Sequence, residues 1–196
     1  MRELSQRQFA EAQKCLKKGD ILAVPTETVY GLAVSLDNHA AVKRLLDFKQ
    51  RGTDGDKILT LMLPTVKDIP KYAKVSHWQM ALARHHFPGE LTIVLPKNDS
   101  FKHRYFDHFD SVGVRIPAHD YMLKLLQRTG PLLVTSANRR GQAPCLSATD
   151  IKNRLPDIEA VVSGNAGGNL PSTIVDWTGD APFTVRQGGL LIVHYA

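Results

Sequence analysis

The apolar stretch Ile-Leu-Ala-Val at residues 21–24 lies between Gly19-Asp20 and Pro25, and this pattern predicts a short buried strand. The segment that follows, PTETVYGL at residues 25–32, collects hydroxyl, carboxylate and phenol groups in one turn. Strands commonly position functional loops in this way, because the sheet fixes the loop that carries the polar groups. A polar connection whose threonines cap the next element is the alternative. The turn is therefore a candidate site, and the strand before it must pair with strands from elsewhere in the chain.

Similar apolar stretches recur along the chain and alternate with amphipathic segments of helical period. The predicted strands occupy residues 21–24, 33–35, 58–63, 91–95, 112–116, 132–135, 160–162, 173–176, 183–186 and 190–193. The predicted helices occupy residues 5–18, 39–48, 66–72, 76–86, 121–128 and 149–155, with Ser5 and Asn38 as N-caps and Gly19 as a helix stop. Strands and helices are mixed over the whole length. The sequence therefore predicts a single α/β (α+β) domain over residues 1–196, in three layers with helices on a twisted mixed sheet.

Composition places the chain among globular proteins, with 196 residues, 43% hydrophobic and 22% charged. Apolar runs are far shorter than the ~20 residues that span a bilayer, and the N-terminus lacks the apolar core of a signal peptide. Cys15 and Cys145 are the only cysteines, which predicts no disulfide framework and a cytoplasmic location. The cysteines and the eight histidines show no metal-ligand spacing, so no protein metal site is predicted.

Further polar clusters follow other predicted elements. Lys49-Gln50-Arg51 ends a predicted helix, where two cations suit the helix dipole or clamp a phosphate. Of the others, Arg115 lies in a predicted strand, and TSAN at residues 135–138 and VRQGG at residues 185–189 end predicted strands. PST at residues 171–173 follows a glycine-rich stretch and precedes a predicted strand. No P-loop or Rossmann glycine motif is present. There is also no Ser-His-Asp order and no carboxylate pair. Such clusters would act by placing substrates and neutralising charge, without a covalent nucleophile.

Arg115 lies in a predicted strand of β-branched residues. Arginine is seldom buried unpaired, so this side chain either ends the strand at the surface or meets a carboxylate or a phosphate. Taken alone, the strand pattern favours the surface position.

At these residues the chain resembles the YrdC family of threonylcarbamoyl-AMP synthases. The motifs PTETVYGL, KxR, VxVRIP, TSAN, PST and VRxG occur in family order between residues 19 and 189. The resemblance implies a YrdC/RibB-like fold in its short single-domain form. It also implies a nucleotidyltransferase that converts L-threonine, bicarbonate or CO2, and ATP with Mg²⁺ to threonylcarbamoyl-AMP and pyrophosphate. A partner complex would then transfer the threonylcarbamoyl group to an adenosine of tRNA.

The resemblance also implies roles for individual residues. Threonine would be held by Thr28, Arg115, Ser136 and Ser172. ATP would be held by Arg51, Ser111, Asn138, Arg186 and Lys57. Lys49 and Arg51 would be catalytic, neutralising the charge that develops at the α-phosphorus. The chain carries Gly55 where the family usually has a second lysine, and Lys57 lies two residues further on.

Two alternatives use the same observations. The net charge of +6 and the altered loop at residues 52–57 suit a YrdC-like paralogue that binds double-stranded RNA or tRNA without strong synthase activity. A carbamoyl-adenylate-forming domain, as in hydrogenase-maturation carbamoyltransferases, is the other. The absence of long cysteine-rich flanks argues against that second alternative.

Overall fold

A computed structural model describes residues 1–49 and 59–192. The strands in this part of the chain are β1 (Arg2–Leu4), β2 (Leu22–Val24), β3 (Gly31–Ser35), β4 (Thr60–Met62), β5 (Leu91–Pro96), β6 (Ser111–Arg115), β7 (Leu132–Ser136), β8 (Ala160–Val162), β9 (Thr173–Asp176) and β10 (Phe183–Arg186). They form one sheet in the order β1-β8-β2-β3-β7-β4-β6-β5-β9-β10. Parallel and antiparallel neighbours both occur, which confirms the predicted mixed sheet.

The helices are α1 (Phe9–Lys18), α2 (His39–Phe48), α3 (His77–His86), α4 (Asp120–Thr129) and α5 (Ala148–Arg154), with a 3₁₀ helix at Val66–Lys71. Asn38 caps α2 as predicted, since its side chain accepts a hydrogen bond from the backbone N–H of Ala41 at 3.0 Å. Gly19 ends α1 in the left-handed conformation, also as predicted. The predicted N-cap at Ser5 is wrong. The helix begins at Phe9, because residues before it form a turn in which the backbone N–H of Ser5 donates to the Gln8 side chain.

Side chains alternate between the two faces of the sheet, and each face has its own hydrophobic cluster. Along β7, Leu133 belongs to one cluster while Leu132 and Val134 belong to the other, as the period of two requires. Helices α1 and α4 pack into the cluster of Leu132, and α2, α3 and α5 pack into the cluster of Leu133. Two helical layers therefore enclose the sheet, which confirms the predicted three-layer arrangement.

The layer of α1 and α4 covers only part of its face. Its cluster contains side chains of β1, β2, β3, β4, β7 and β8 but, among the described residues, none of β5, β6, β9 or β10. On β5, β6 and β9 the core residues, such as Ile93, Val114 and Val175, all belong to the cluster on the opposite face, whereas the residues of β10 are exposed. The residues between them, such as Thr92 and Gly113, line a cavity. The uncovered half of the sheet is therefore where a ligand can bind.

Two parts of the predicted sheet differ from the structure. Strand β1 was not predicted, and it pairs with β8 at one end of the sheet. Residues 190–192 of the predicted last strand do not pair with the sheet. The carbonyl of Leu190 accepts a hydrogen bond from the Thr173 hydroxyl instead. The loop at residues 97–110 packs its aromatic side chains against one another around the buried Phe106. In the described part of the chain, every helix is too short or too polar to cross a membrane.

Candidate active site

A cavity of about 410 Å³ opens on the half of the sheet that α1 and α4 leave uncovered. The predicted site residues that line it are Thr28, Ser111, Arg115, Ser136, Ser172 and Arg186. Lys49 and Asn138 do not line the cavity, but each is hydrogen-bonded to Ser136, which does. Arg51 and Lys57 lie outside the described residues. The fold thus brings together side chains that the sequence separates by up to 158 positions (Thr28 to Arg186).

The turn after β2 is held by a directed set of hydrogen bonds. The Thr26 hydroxyl donates to the carbonyl of Val29 at 2.6 Å, so the contact of 2.9 Å between the Thr26 and Thr28 hydroxyls has Thr28 as its donor. Thr28 Oγ1 also accepts from Nη2 of Arg115 at 3.0 Å. The only hydroxyl proton of Thr28 is therefore used within the protein, and towards a ligand this side chain can offer an acceptor.

A glycine pair at 167 and 168 supports the same turn from outside. Its backbone N–H groups donate to the carbonyls of Thr26 at 2.9 Å and Thr28 at 3.1 Å. A Cβ on either glycine would lie 3.0 Å from the carbonyl oxygen of Glu27, so side chains are poorly accommodated there. The glycine-rich stretch before the PST motif is therefore a support of the turn, a role that the sequence alone did not indicate.

Tyr30, the phenol of the turn, is fully buried. Its hydroxyl lies 2.8 Å from the carbonyl of Val162 and 2.9 Å from that of Gly164. Burial raises the pKa of the Tyr30 phenol well above its ordinary value, so it stays protonated and donates. The phenol thereby holds the turn against β8, which is a structural role. We expect other lining side chains to contact a ligand.

Arg115 is 4% exposed, so the surface position favoured by its strand pattern is wrong. Its Nη2 donates to Oε1 of Glu27 at 2.8 Å as well as to Thr28, and its Nε donates to the carbonyl of Gly89 at 3.2 Å. Within the described residues Nη1 has no hydrogen-bond partner, although Arg115 lines the cavity. The guanidinium is therefore fixed on two sides by protein groups and offers its remaining nitrogen to a ligand.

Glu27 is the carboxylate of the turn, and it was not among the predicted site residues. Oε1 accepts from Arg115 and from the backbone N–H of Ala118, each at 2.8 Å, while Oε2 is buried without a partner in the described part of the chain. Burial lowers the pKa of the neighbouring His119 imidazole, and this effect outweighs the charge of Glu27, which acts to raise that pKa. Glu27 therefore carries the negative charge that makes burial of Arg115 possible.

Lys49 lies at the end of α2 and is 4% exposed. Its Nζ donates to the carbonyl of Ser136 at 3.0 Å and to the carbonyl and side-chain oxygens of Asn138 at 2.6 and 2.8 Å. The Ser136 hydroxyl donates to the same side-chain oxygen at 2.7 Å. The KxR and TSAN motifs thus meet through one ammonium group, which places a buried positive charge behind Ser136 at the cavity wall.

Ser172 and Arg186 form the opposite wall. The Ser172 hydroxyl lies 2.9 Å from that of Thr92, and Arg186 Nη2 lies 2.7 Å from the carbonyl and 3.2 Å from the hydroxyl of Ser172. Arg186 belongs to β10 at the end of the sheet, so its guanidinium lies at the cavity mouth. The PST and VRQGG motifs are therefore one structural unit.

Substitution of Gly188 tests that unit. An ideal Cβ on Gly188 would lie 2.1 Å from the carbonyl oxygen of Pro171 and 2.5 Å from the backbone nitrogen of Thr173. Gly188→Ala must therefore displace the backbone that carries Ser172, and we expect a loss of about 1–3 kcal/mol in the free energy of unfolding. Urea denaturation measures it, with Gly179→Ala as control because its Cβ would meet nothing within 4 Å. Equal stability of the two variants would contradict the close approach.

Several lining residues were not predicted from the sequence: Thr60, Thr92, Val94, Gly113, Ile174 and Asp176. Four of them lie in the interior of β5, β6 and β9, whereas the clusters predicted from the sequence lie mainly at strand ends and in turns; Thr60 begins β4 and Asp176 ends β9. Their signal is the period of two in β5 and β6, where Thr92 and Gly113 fall between residues of the apolar core. That pattern identifies a polar face but leaves open which part of it a helix covers.

Comparisons with known proteins are consistent with this geometry. The Sua5/YciO/YrdC family model, described as telomere recombination, matches residues 14–188. A Vibrio campbellii protein named threonylcarbamoyl-AMP synthase is 32% identical over 176 residues, which are 87% of this chain and 94% of the relative. Pyrococcus abyssi Sua5, solved in complex with L-threonine, superimposes with a TM-score of 0.86 at 30% identity. Escherichia coli YciO superimposes with a TM-score of 0.84 at 25% identity.

The two solved structures differ in how much of them this chain represents. The superposition on Sua5 covers 96% of this chain but 57% of the Sua5 chain, so this chain spans little more than half of that protein. The superposition on YciO covers 96% of this chain and 95% of the YciO chain.

Proposed function

Because this chain belongs to the Sua5/YciO/YrdC family, we propose that it is an L-threonylcarbamoyladenylate synthase. It would convert L-threonine, bicarbonate or CO2, and ATP to threonylcarbamoyl-AMP and pyrophosphate, for the threonylcarbamoyladenosine modification of tRNA. The observation that carries the proposal is the buried Arg115, which is fixed by Glu27 and Thr28 and offers one nitrogen to a cavity of about 410 Å³. A guanidinium held in this way suits a small substrate with a carboxylate.

Threonine would bind at the Arg115 end of the cavity. Its carboxylate pairs with the Nη1 side of the guanidinium, and Thr28 Oγ1 accepts a hydrogen bond from the amino or hydroxyl group of the substrate. Ser136 and Ser172 line the walls on either side and supply the remaining polar contacts. The proposal is supported by the hydrogen-bond directions, which leave Thr28 an acceptor and Arg115 a donor.

ATP would bind over the rest of the open sheet face. Ser111 and Arg186 line the cavity there, and Asn138 belongs to the turn beside Ser136. Mg²⁺ would arrive with the nucleotide, because it usually binds through substrate phosphates and water. Arg51 and Lys57 are proposed phosphate ligands on the family resemblance, outside the described residues.

The reaction consists of two balanced steps. The neutral amine of threonine attacks CO2 and releases a proton, or attacks bicarbonate with loss of water, and gives a carbamate. A carbamate oxygen then attacks the α-phosphorus of ATP, the bond to the bridging oxygen breaks, and pyrophosphate leaves with the electron pair. Lys49, buried behind Ser136, contributes a fixed positive charge next to the developing negative charge, and Arg51 is proposed to contribute another. The residues thus act by position and charge, without a covalent intermediate on the protein.

The product would pass to the complex that modifies tRNA, which places the enzyme in the cytoplasm with its substrates. Both cysteines are unpaired thiols, as a reducing compartment allows. Direct RNA binding, the alternative from the sequence, is supported by the net charge of +6 and by the altered loop at residues 52–57, which lies outside the described residues.

Pyrophosphate release tests the proposed function. The purified protein is incubated with ATP, Mg²⁺ and bicarbonate, with and without L-threonine, and with L-serine as the control amino acid. We expect release that depends on threonine and is much weaker with serine. ATP binding without any threonine-dependent release would contradict the proposal and make RNA binding the function to test.

A further inference from the structure

Gly113 of β6 lies on the face of the sheet that forms the cavity floor. In β6, Ser111, Gly113 and Arg115 face the cavity, whereas Val112 and Val114 are buried in the core on the other side of the sheet. Gly113 pairs with Thr60 of β4 on one side and with Val94 of β5 on the other. These neighbours line the cavity as well. Gly113 is therefore surrounded by lining residues and has no side chain of its own.

The protein itself does not require a glycine at this position. An ideal Cβ on Gly113 would lie 3.5 Å from Cγ2 of Thr92 and 3.8 Å from Cγ2 of Val94, which are ordinary van der Waals distances. The backbone is not in the left-handed region that favours glycine, unlike that of Gly19. A glycine inside a strand weakens it relative to alanine, and it often marks a place where a ligand approaches closely. The space above Gly113 is therefore explained by a ligand.

The position of Gly113 between two proposed subsites indicates which part of the ligand lies there. Ser111 and Arg115 are each two residues away along the strand, about 6.5–7 Å from Gly113. Ser111 belongs to the proposed nucleotide subsite and Arg115 to the proposed threonine subsite. The midpoint is where the carbamate of threonine and the α-phosphate must meet for the bond to form.

Resting on the proposed function, we propose that Gly113 is a specificity-determining residue that keeps the floor open beneath the junction of an amino-acid carbamate and a nucleoside phosphate. A methyl group there leaves room for either substrate alone, since each can shift towards its own end of the cavity. It obstructs the joined species, which cannot shift in both directions. The variant should therefore lose turnover more than it loses binding of either single substrate.

The experiment compares Gly113→Ala and the bulkier Gly113→Val with Gly179→Ala, whose Cβ would point into open space. Melting temperature, pyrophosphate release, and calorimetric titration with ATP alone and with threonine alone are measured for each. We expect Gly113→Ala to melt no lower than the wild type and to lose about tenfold to 100-fold in kcat, with single-substrate affinities changed far less. Gly113→Val should lose more, and Gly179→Ala should match the wild type.

Three outcomes overturn the inference while the wild type stays active. They are unchanged turnover of Gly113→Val, a marked fall in the melting temperature of Gly113→Ala, and equal losses of single-substrate binding and of turnover. Failure of the proposed function looks different, because the wild type itself then releases no threonine-dependent pyrophosphate.

Discussion

Arg115→Ala is expected to lower kcat/KM for threonine by roughly 30- to 1,000-fold, which corresponds to a lost charge-assisted contact of about 2–4 kcal/mol. Most of the change should be in the KM for threonine, because the guanidinium contacts the carboxylate of the substrate in the ground state and the transition state alike. Steady-state pyrophosphate release at varied threonine measures it. Arg84→Ala, a change at an exposed arginine of α3, is the control. An unchanged KM for threonine would contradict the proposed role of Arg115.

The same variant should also be less stable, for a separate reason. Arg115 and Glu27 form a buried pair whose side chains are 5% and 13% exposed. Removal of the arginine leaves the carboxylate buried with only the N–H of Ala118, and breaking such pairs typically costs about 3–5 kcal/mol. The double variant Arg115→Ala, Glu27→Ala removes both charges and should recover part of the lost stability without recovering threonine binding. Recovery of both would mean that the threonine effect was only loss of folding.

Lys49→Met is expected to lower kcat by about 10²-fold, the usual effect of removing one group that stabilises transition-state charge. Methionine has a similar length and keeps the side chain buried, but it removes the ammonium that joins α2 to Ser136 and Asn138. The effect should be larger on kcat than on the KM for threonine, because the charge is needed when phosphorus is attacked. Single-turnover measurement of threonylcarbamoyl-AMP formation separates this chemical step from product release.

Lys43→Met on the exposed face of the same helix is the matched control. Melting temperature has to be followed in parallel, because the substitution removes the Lys49 bonds to Ser136 and Asn138. Asn138 Oδ1 keeps the Ser136 hydroxyl and the Ser136 carbonyl keeps the N–H of Asn138, but the Asn138 carbonyl loses its described donor, and an unmade buried bond costs about 1–3 kcal/mol. Wild-type kcat in a folded Lys49→Met protein would show that the buried ammonium is structural only.

The sequence predicted most of the sheet because its strands are short apolar runs bounded by turn residues. Strand β1 was not predicted because two of its three residues, Arg2 and Glu3, are polar and exposed at the end of the sheet. Ser5 was wrongly predicted as an N-cap because its backbone N–H donates to the Gln8 side chain in a turn before α1, which no helical pattern reveals. Local patterns therefore identified elements well and their irregular ends less well.

The site was predicted as a set of motifs, and the structure shows what joins them. Arg115 could not be placed by its own strand, because its partner Glu27 lies 88 residues away in the sequence. Polar residues within strands, such as Thr92, could not be assigned to a cavity without knowing that α1 and α4 stop short of β5. Pairing across the sheet and the position of the helical layer are tertiary properties, and they decide which polar faces are open.

The most direct test of the central proposal, that one cavity joins threonine, bicarbonate and ATP, is mass spectrometry of the product formed from carbon-13 bicarbonate. Purified protein, ATP, Mg²⁺, L-threonine and the labelled bicarbonate are mixed and quenched early. We predict an adenylate that contains threonine and carries one labelled carbon, at a yield that Arg115→Ala and Lys49→Met both lower. Only unlabelled AMP or ADP, or an adenylate that forms equally without threonine, would contradict the account.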